Sequence, residues 1–159
     1  MSDPSADEST LRARHDDFRW EGVRVLNYKE EGTAPFRAIS RQTLFSDPRL
    51  QGELRYFEIA PGGFSTLERH EHMHAVMIFR GEGHCLVGDT VHRVKLHDLI
   101  TIAPLTWHQF RATSGSELGF LCMVNAARDR PQLPSAHDIE RLRSDPAVAR
   151  FLDGGQTDD

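Results

Sequence analysis

Residues 61–81 read PGGFSTLERHEHMHAVMIFRG and place Glu68, His70, His72 and His74 at every second position. Successive side chains of an extended chain alternate faces, so these four groups of metal-ligand type point the same way. Such a cluster is costly to bury unpaired, and a divalent cation is the simplest partner that would hold it together. Pro61-Gly62-Gly63 and Gly81 punctuate the stretch at its two ends.

The rest of the chain supports a small soluble domain around that stretch. Its 159 residues suffice for one domain with a real core. Of its nine histidines, seven fall between His70 and His108, and neutral imidazole is the commonest side-chain metal ligand. A net charge of −5 argues against a nucleic-acid partner. No window approaches the ~18 consecutive apolar residues of a membrane span. The first residues, MSDPSADEST, carry no apolar segment of the secretory kind, so a cytoplasmic location is expected. Cys85 and Cys122 form no CxxC pair; they sit in apolar runs as small hydrophobes, and no disulfide is expected. Phosphate loops of the GxxxxGK[ST] or GxGxxG type and a G-x-S-x-G elbow are missing from the sequence.

Short runs rich in aromatic and β-branched residues predict strands at 22–28, 37–45, 54–60, 74–80, 84–87, 90–94, 99–103, 107–112 and 118–124. Turn residues separate them, including Gly88-Asp89 between two runs of hairpin length. Regular short strands of this kind predict an all-β sandwich or barrel. The tail changes period. Ser135 with Asp138 predicts a helix start, and Ser144-Asp145-Pro146 predicts a second one. The expected organisation is a disordered N-terminal segment over 1–17, a β-barrel domain over 18–127, and a helical tail over 128–159 packed on the barrel.

The residues from Gly62 to Gly81 resemble the first motif of the cupin superfamily, G-x5-H-x-H-x3-E-x6-G. Every spacing is kept, with Glu68 where the first histidine is usual and His74 where the glutamate is usual. The second motif, G-x5-P-x-G-x2-H-x3-N, is kept in spacing more than in letters. His97 and Leu105 stand at its glycine positions, Ala103 at the proline, Ala112 at the asparagine, and His108 keeps the histidine. The resemblance spans about residues 54–124. It implies a double-stranded β-helix, the jelly-roll barrel of cupins, here with short C-terminal helices. It further implies one divalent transition metal ion (Mn, Fe, Ni, Cu or Zn) held by Glu68, His70, His74 and His108.

His72 is the ambiguous member of the run. A His70–His72 pair would leave Val76 or Met77 at the acidic position, and neither side chain is a ligand of this kind. A bulge or turn before His74 would rotate His72 aside, as a donor behind the ligands or toward the barrel mouth. Tyr56, Arg80 and Gln109 are further candidates to approach a substrate.

The resemblance implies a metal-dependent enzyme acting on a small organic molecule, with dioxygenase-type oxidative cleavage as the leading expectation. Glu68 would serve as ligand or as catalytic general base. The alternatives are a non-redox lyase or isomerase, with the metal as Lewis acid, and a non-catalytic small-molecule-binding cupin. A homodimer is expected, paired through the strands at 22–28 and 37–45.

Overall fold

The apolar runs of the middle of the chain become strands, and the helical period of the tail becomes two helices. A computed structural model describes residues 9–29 and 34–155. Its elements are β1 (Arg14–His15), β2 (Arg19–Trp20), β3 (Leu26–Asn27), β4 (Arg37–Asp47), β5 (Gly52–Phe64), β6 (His74–Gly81), β7 (Gly83–Val87), β8 (Thr90–Val94), β9 (Leu99–Ile102), β10 (His108–Ala112), β11 (Leu118–Asn125), α1 (Ala136–Arg143) and α2 (Pro146–Leu152). Among the described residues, no helix is long and apolar enough to cross a membrane. Both cysteines are free and buried.

The main sheet runs β8-β7-β10-β5-β11-β6-β9, with β4 on β5 and β3 on β4, and its ladders are antiparallel. It curls into a jelly-roll barrel because β5 serves two neighbourhoods. Its first part lies between β4 and β11, and Phe64 at its far end meets Arg111 of β10. The sequence predicts that this strand stops at Pro61. It runs on instead, because Gly62 takes φ +75 and donates its N–H to the Thr113 carbonyl at 2.9 Å. The chain bends there without leaving the sheet. The strand expected over 22–28 shrinks to the two residues of β3, since Gly22 (φ +70) and the Val23 N–H bond to the Trp20 carbonyl form a turn.

Alternation then sorts the side chains. Phe57 and Ile59 of β5, Val76 and Ile78 of β6, and Leu118, Phe120 and Cys122 of β11 are buried together in the barrel core. Phe57 sits opposite Phe120 in register, and the Phe57–Phe120–Phe110 rings stack at centroid distances of 5.4 and 4.6 Å. Tyr56 faces the other way. Phe18 and Trp20 cover it at 6.0 and 5.1 Å, so the β1–β2 ribbon packs on the barrel exterior. That ribbon begins inside the stretch expected to be disordered, whose residues 1–8 lie outside the described residues.

The tail follows its capping signals. Ser135 Oγ accepts from the Asp138 N–H at 3.1 Å, and the Asp138 carboxylate accepts from the Ser135 N–H at 2.9 Å. Asp145 caps α2 ahead of Pro146. Leu142, Val148 and Phe151 are buried against Leu86, which fixes both helices to the outside of the barrel.

Backbone shape explains the motif glycines. Gly81 has φ +66, and a Cβ there would lie 1.8 Å from the Glu117 carbonyl oxygen. The second motif lost its glycines but not their conformation: His97 has φ +71 and Leu105 φ +58. Hydrogen bonds hold both, from His97 N to Ile78 O at 2.8 Å and from Leu105 N to His70 O at 2.7 Å. The left-handed penalty of roughly 1–2 kcal/mol for a side-chain-bearing residue exceeds glycine's entropic cost of roughly 0.5–1 kcal/mol. His97→Gly should therefore stabilise the fold by about 0.5–1 kcal/mol in urea denaturation, since exposed His97 sacrifices little packing. A loss of stability would mean that the imidazole carries more packing than this balance allows.

Candidate metal centre in the barrel

Of the histidine run only His74 lies on a strand, as the first residue of β6; His70 and His72 precede it in an irregular segment. Between β5 and β6 the chain leaves the ladder and is held by two isolated bridges, Glu68 to His108 and Arg69 to Gln132. Glu68 N–H donates to His108 O at 3.2 Å and His108 N–H donates to Glu68 O at 3.0 Å. That exchange brings the end of the first motif and the start of β10 side by side.

A bend at Glu71-His72 does the rest. The Asp129 carboxylate accepts from Glu71 N at 2.8 Å and from His72 N at 3.0 Å, and it lies 2.6 Å from His72 Nδ1. Those donors, the Glu71 N–H foremost, hold the Asp129 carboxyl well below the usual carboxylate range. The bend folds His72 back onto His70, with ring centroids 3.7 Å apart and planes 5° from parallel. His72 is thus neither a member of a strand stripe nor turned away from the cluster.

Two ring tautomers follow from the backbone. His70 Nδ1 is 2.8 Å from the His72 carbonyl, and His108 Nδ1 is 2.9 Å from the Thr106 carbonyl. A carbonyl only accepts, so both Nδ1 atoms carry protons and both Nε2 atoms present lone pairs toward the cluster. His70 Nε2 lies 2.9 Å from His74 Nε2, a pair that needs a shared proton or cation between its nitrogens. His74 Nδ1 lies 3.0 Å from Cys122 Sγ. Ligand atoms of His70, His72 and His74, and those of Glu68, His70 and His108, fall within 4.8 Å of one another. The two groups share His70, so Glu68, His70, His74 and His108, the set that the cupin resemblance implies, lie around one imidazole with His72 beside them. This donor set, imidazole nitrogens and one carboxylate, fits a borderline divalent ion.

Electrostatics keep the imidazoles ready for a cation. Burial, reinforced by the neighbouring His108 and His72, lowers His70 to about 4. Burial, with His108, His70 and Arg55 nearby, lowers His74 to about 2. Burial also pushes His108 down. Glu68 is ion-paired with the Lys29 ammonium, and the buried Tyr28 phenol is pushed above its ordinary value by burial and by the Glu68 charge. Burial raises the Cys122 thiol, and Arg55 opposes that shift.

The cluster opens on a cavity of about 200 Å³. Phe57, Phe110, Phe120 and Val76 form its apolar wall, and Tyr28, Lys29, Arg41 and Arg55 face it from the other elements. Sequence reasoning missed these four, Cys122 and Asp129. Arg55 and Cys122 were accessible to it, because alternation along β5 and β11 puts them on the core face. Asp129 gave no signal, since it lies in an irregular segment beyond β11. Of the other substrate candidates, Tyr56 and Arg80 bind Glu58, at 2.9 Å each, and Gln109 donates to the Ser65 carbonyl at 2.7 Å. None of the three lines the cavity.

The lowered imidazoles set a pH dependence for metal-free protein. His70 binds its proton more weakly when folded than at its ordinary 6.5, so protonation favours the unfolded chain. This contribution is complete above 6.5 and is lost as pH falls through about 4. Chelator-treated protein should show a urea midpoint that drops across that window, and divalent metal should raise the midpoint most above it, where the imidazoles carry no competing protons. A midpoint indifferent to pH over the window would contradict the buried neutral cluster.

Known proteins bear out the architecture. The cupin domain family matches residues 55–124. The 1-methylthio-D-xylulose 5-phosphate methylsulfurylase of Rhodospirillum rubrum is 58% identical over 154 residues, covering 97% of this chain and 98% of that protein. The crystal structure of a cupin 2 conserved barrel domain protein from Rhodopseudomonas palustris is 59% identical with a TM-score of 0.85, covering 89% of this chain and 98% of that one. A cupin-2 domain structure from Rhodospirillum rubrum is 57% identical with a TM-score of 0.81, covering 92% and 96%. With the motif spacing, the jelly-roll barrel and a relative of this identity along nearly its whole length, the chain belongs to the cupin family.

Proposed function

We propose that this chain is a metal-dependent enzyme that removes the methylthio group from a 1-methylthio-ketose 5-phosphate. The observation that carries the reading is its 58% identity, over 97% of its length, to an enzyme named for that substrate. The site supports it with Glu68, His70, His74 and His108 as the residues that would hold a divalent ion and His72 as a further donor. When bound, such an ion would supply Lewis acidity to a substrate carbonyl.

Chemistry next to a ketone sets the direction of cleavage. The electron pair of the C1–S bond is best left on carbon, where the adjacent carbonyl delocalises it as an enolate. The sulfur then leaves as an electrophile and needs an acceptor. A thiol RSH balances the reaction, giving CH3–S–S–R and a 1-deoxy ketose phosphate whose C1 has gained one proton. In this reading the acceptor is a small external thiol. Cys122 is a poor candidate because burial raises its thiol and its sulfur already contacts His74 and Arg55. Lys29, paired with Glu68 and facing the cavity, holds the proton that C1 receives. Phe57, Phe110 and Phe120 keep water from the enolate.

This is a non-redox role for the metal, and it displaces oxidative cleavage by a dioxygenase as the favoured chemistry. The assembly proposed is a homodimer in the cytoplasm. Among the described residues β3 pairs β4 only at Ser40 and Arg41, which leaves much of that edge open to a second copy.

The test is turnover of 1-methylthio-D-xylulose 5-phosphate with a low-molecular-weight thiol, with and without dissolved oxygen. Equal rates, with a methyl disulfide as co-product, are expected. Chelation, or His74→Ala, should lower the rate by more than about 100-fold. A rate that requires oxygen would restore the dioxygenase reading, and lack of any turnover by metal-loaded protein would end this one.

A further inference from the structure

Two arginines sit where an apolar barrel has no obvious need of them. Arg55 lies on β5 opposite Cys122 of β11, on the face shared by Phe57 and Ile59, and is only 8% exposed. Arg41 lies on β4 opposite Phe57, on the same inner face. Both line the cavity. The Nε of each is buried and has no hydrogen-bond partner among the described residues.

The contacts that Arg55 does make are weak for a buried charge. Its Nη2 is 3.7 Å from Cys122 Sγ, and its guanidinium stands 5.0 Å from the Phe57 ring centroid. The other charged groups of the cavity are already engaged. Glu68 pairs with Lys29, Asp129 with His72, and Arg128 with Glu53 at 2.8 Å. A buried cation without a carboxylate is unfavourable unless a ligand completes it. Two planar forks of N–H donors match the oxygens of a phosphoryl group, which they bind in bidentate fashion.

We infer that Arg55 and Arg41 form a phosphate subsite, which binds the 5-phosphate of the substrate while its carbonyl end lies at the histidine cluster. The geometry makes both ends reachable by a five-carbon sugar. Cys122 Sγ touches Arg55 Nη2 on one side and His74 Nδ1 on the other, so a single sulfur atom separates the arginine from the imidazoles. This assignment rests on the sugar-phosphate reading above, but its direct probe does not need turnover.

That probe is inorganic phosphate, added to metal-loaded protein in thermal denaturation. Phosphate should raise the midpoint of the unsubstituted protein, and the shift should be lost in Arg55→Gln and in Arg41→Gln at equal metal content. Should Arg55→Gln fail to fold, Arg55→Lys and Arg41→Gln carry the same comparison. In kinetics, each variant should raise KM for 1-methylthio-D-xylulose 5-phosphate at least about 10-fold. It should leave KM for the dephosphorylated sugar where the unsubstituted protein has it. Phosphate protection lost with the arginines, in a protein that does not turn over the thioether, would sink the activity and uphold the subsite. Turnover with KM insensitive to both the 5-phosphate and the arginines would uphold the activity and overturn the subsite, as would a phosphate shift that survives in both variants.

Discussion

Asp129 decides what the histidine run becomes. Its carboxylate takes the N–H groups of Glu71 and His72 and contacts the His72 ring, so the chain bends between His70 and His74. Without that bend, alternation would spread Glu68, His70, His72 and His74 along one edge. With it, His72 stacks on His70, His70 meets His74 nitrogen to nitrogen, and the Glu68–His108 bridge closes the cluster from the opposite strand. A cluster built on a bend needs a rigid frame. The paired β5, β11 and β6 ladders supply it below, and Gly81 closes the turn after β6, where no larger residue fits.

The barrel interior places both kinds of charge under the same constraint. Burial strips the imidazoles of protons, which leaves lone pairs that a cation would satisfy. Burial cannot neutralise arginine, so Arg55 keeps a charge that an anion would satisfy. Electron donors at one end and cationic N–H donors beside them are the two features on which the proposed sugar-phosphate substrate rests. The aromatic stack of Phe57, Phe110 and Phe120 supplies the dry wall that lets these interactions count.

Much of the architecture was legible in the sequence. The strand runs from residue 37 onward, the hairpin at Gly88-Asp89, the Ser135 cap and the second helix start at Ser144-Asp145-Pro146 each rest on local signals, and each appears in the structure. The resemblance to the cupin motifs implied Glu68, His70, His74 and His108 as a set, and the structure brings their side chains close together. Where reading failed, the cause was long-range. Nothing near His72 in sequence announces Asp129, a partner 57 residues away. The strand-ending Pro61 misled because Gly62 lets a sheet turn a corner, and β5 continues past it to Phe64. Conversely, His97 and Leu105 hid a preserved backbone behind changed letters.

All of this depends on the cluster's being a metal centre. Elemental analysis of folded protein purified without added metal tests that most directly. The account predicts close to one divalent transition-metal ion per chain, lost when His108 is replaced by alanine. Folded protein that contains none, and that takes up none on dialysis against manganese, iron or zinc, would contradict it.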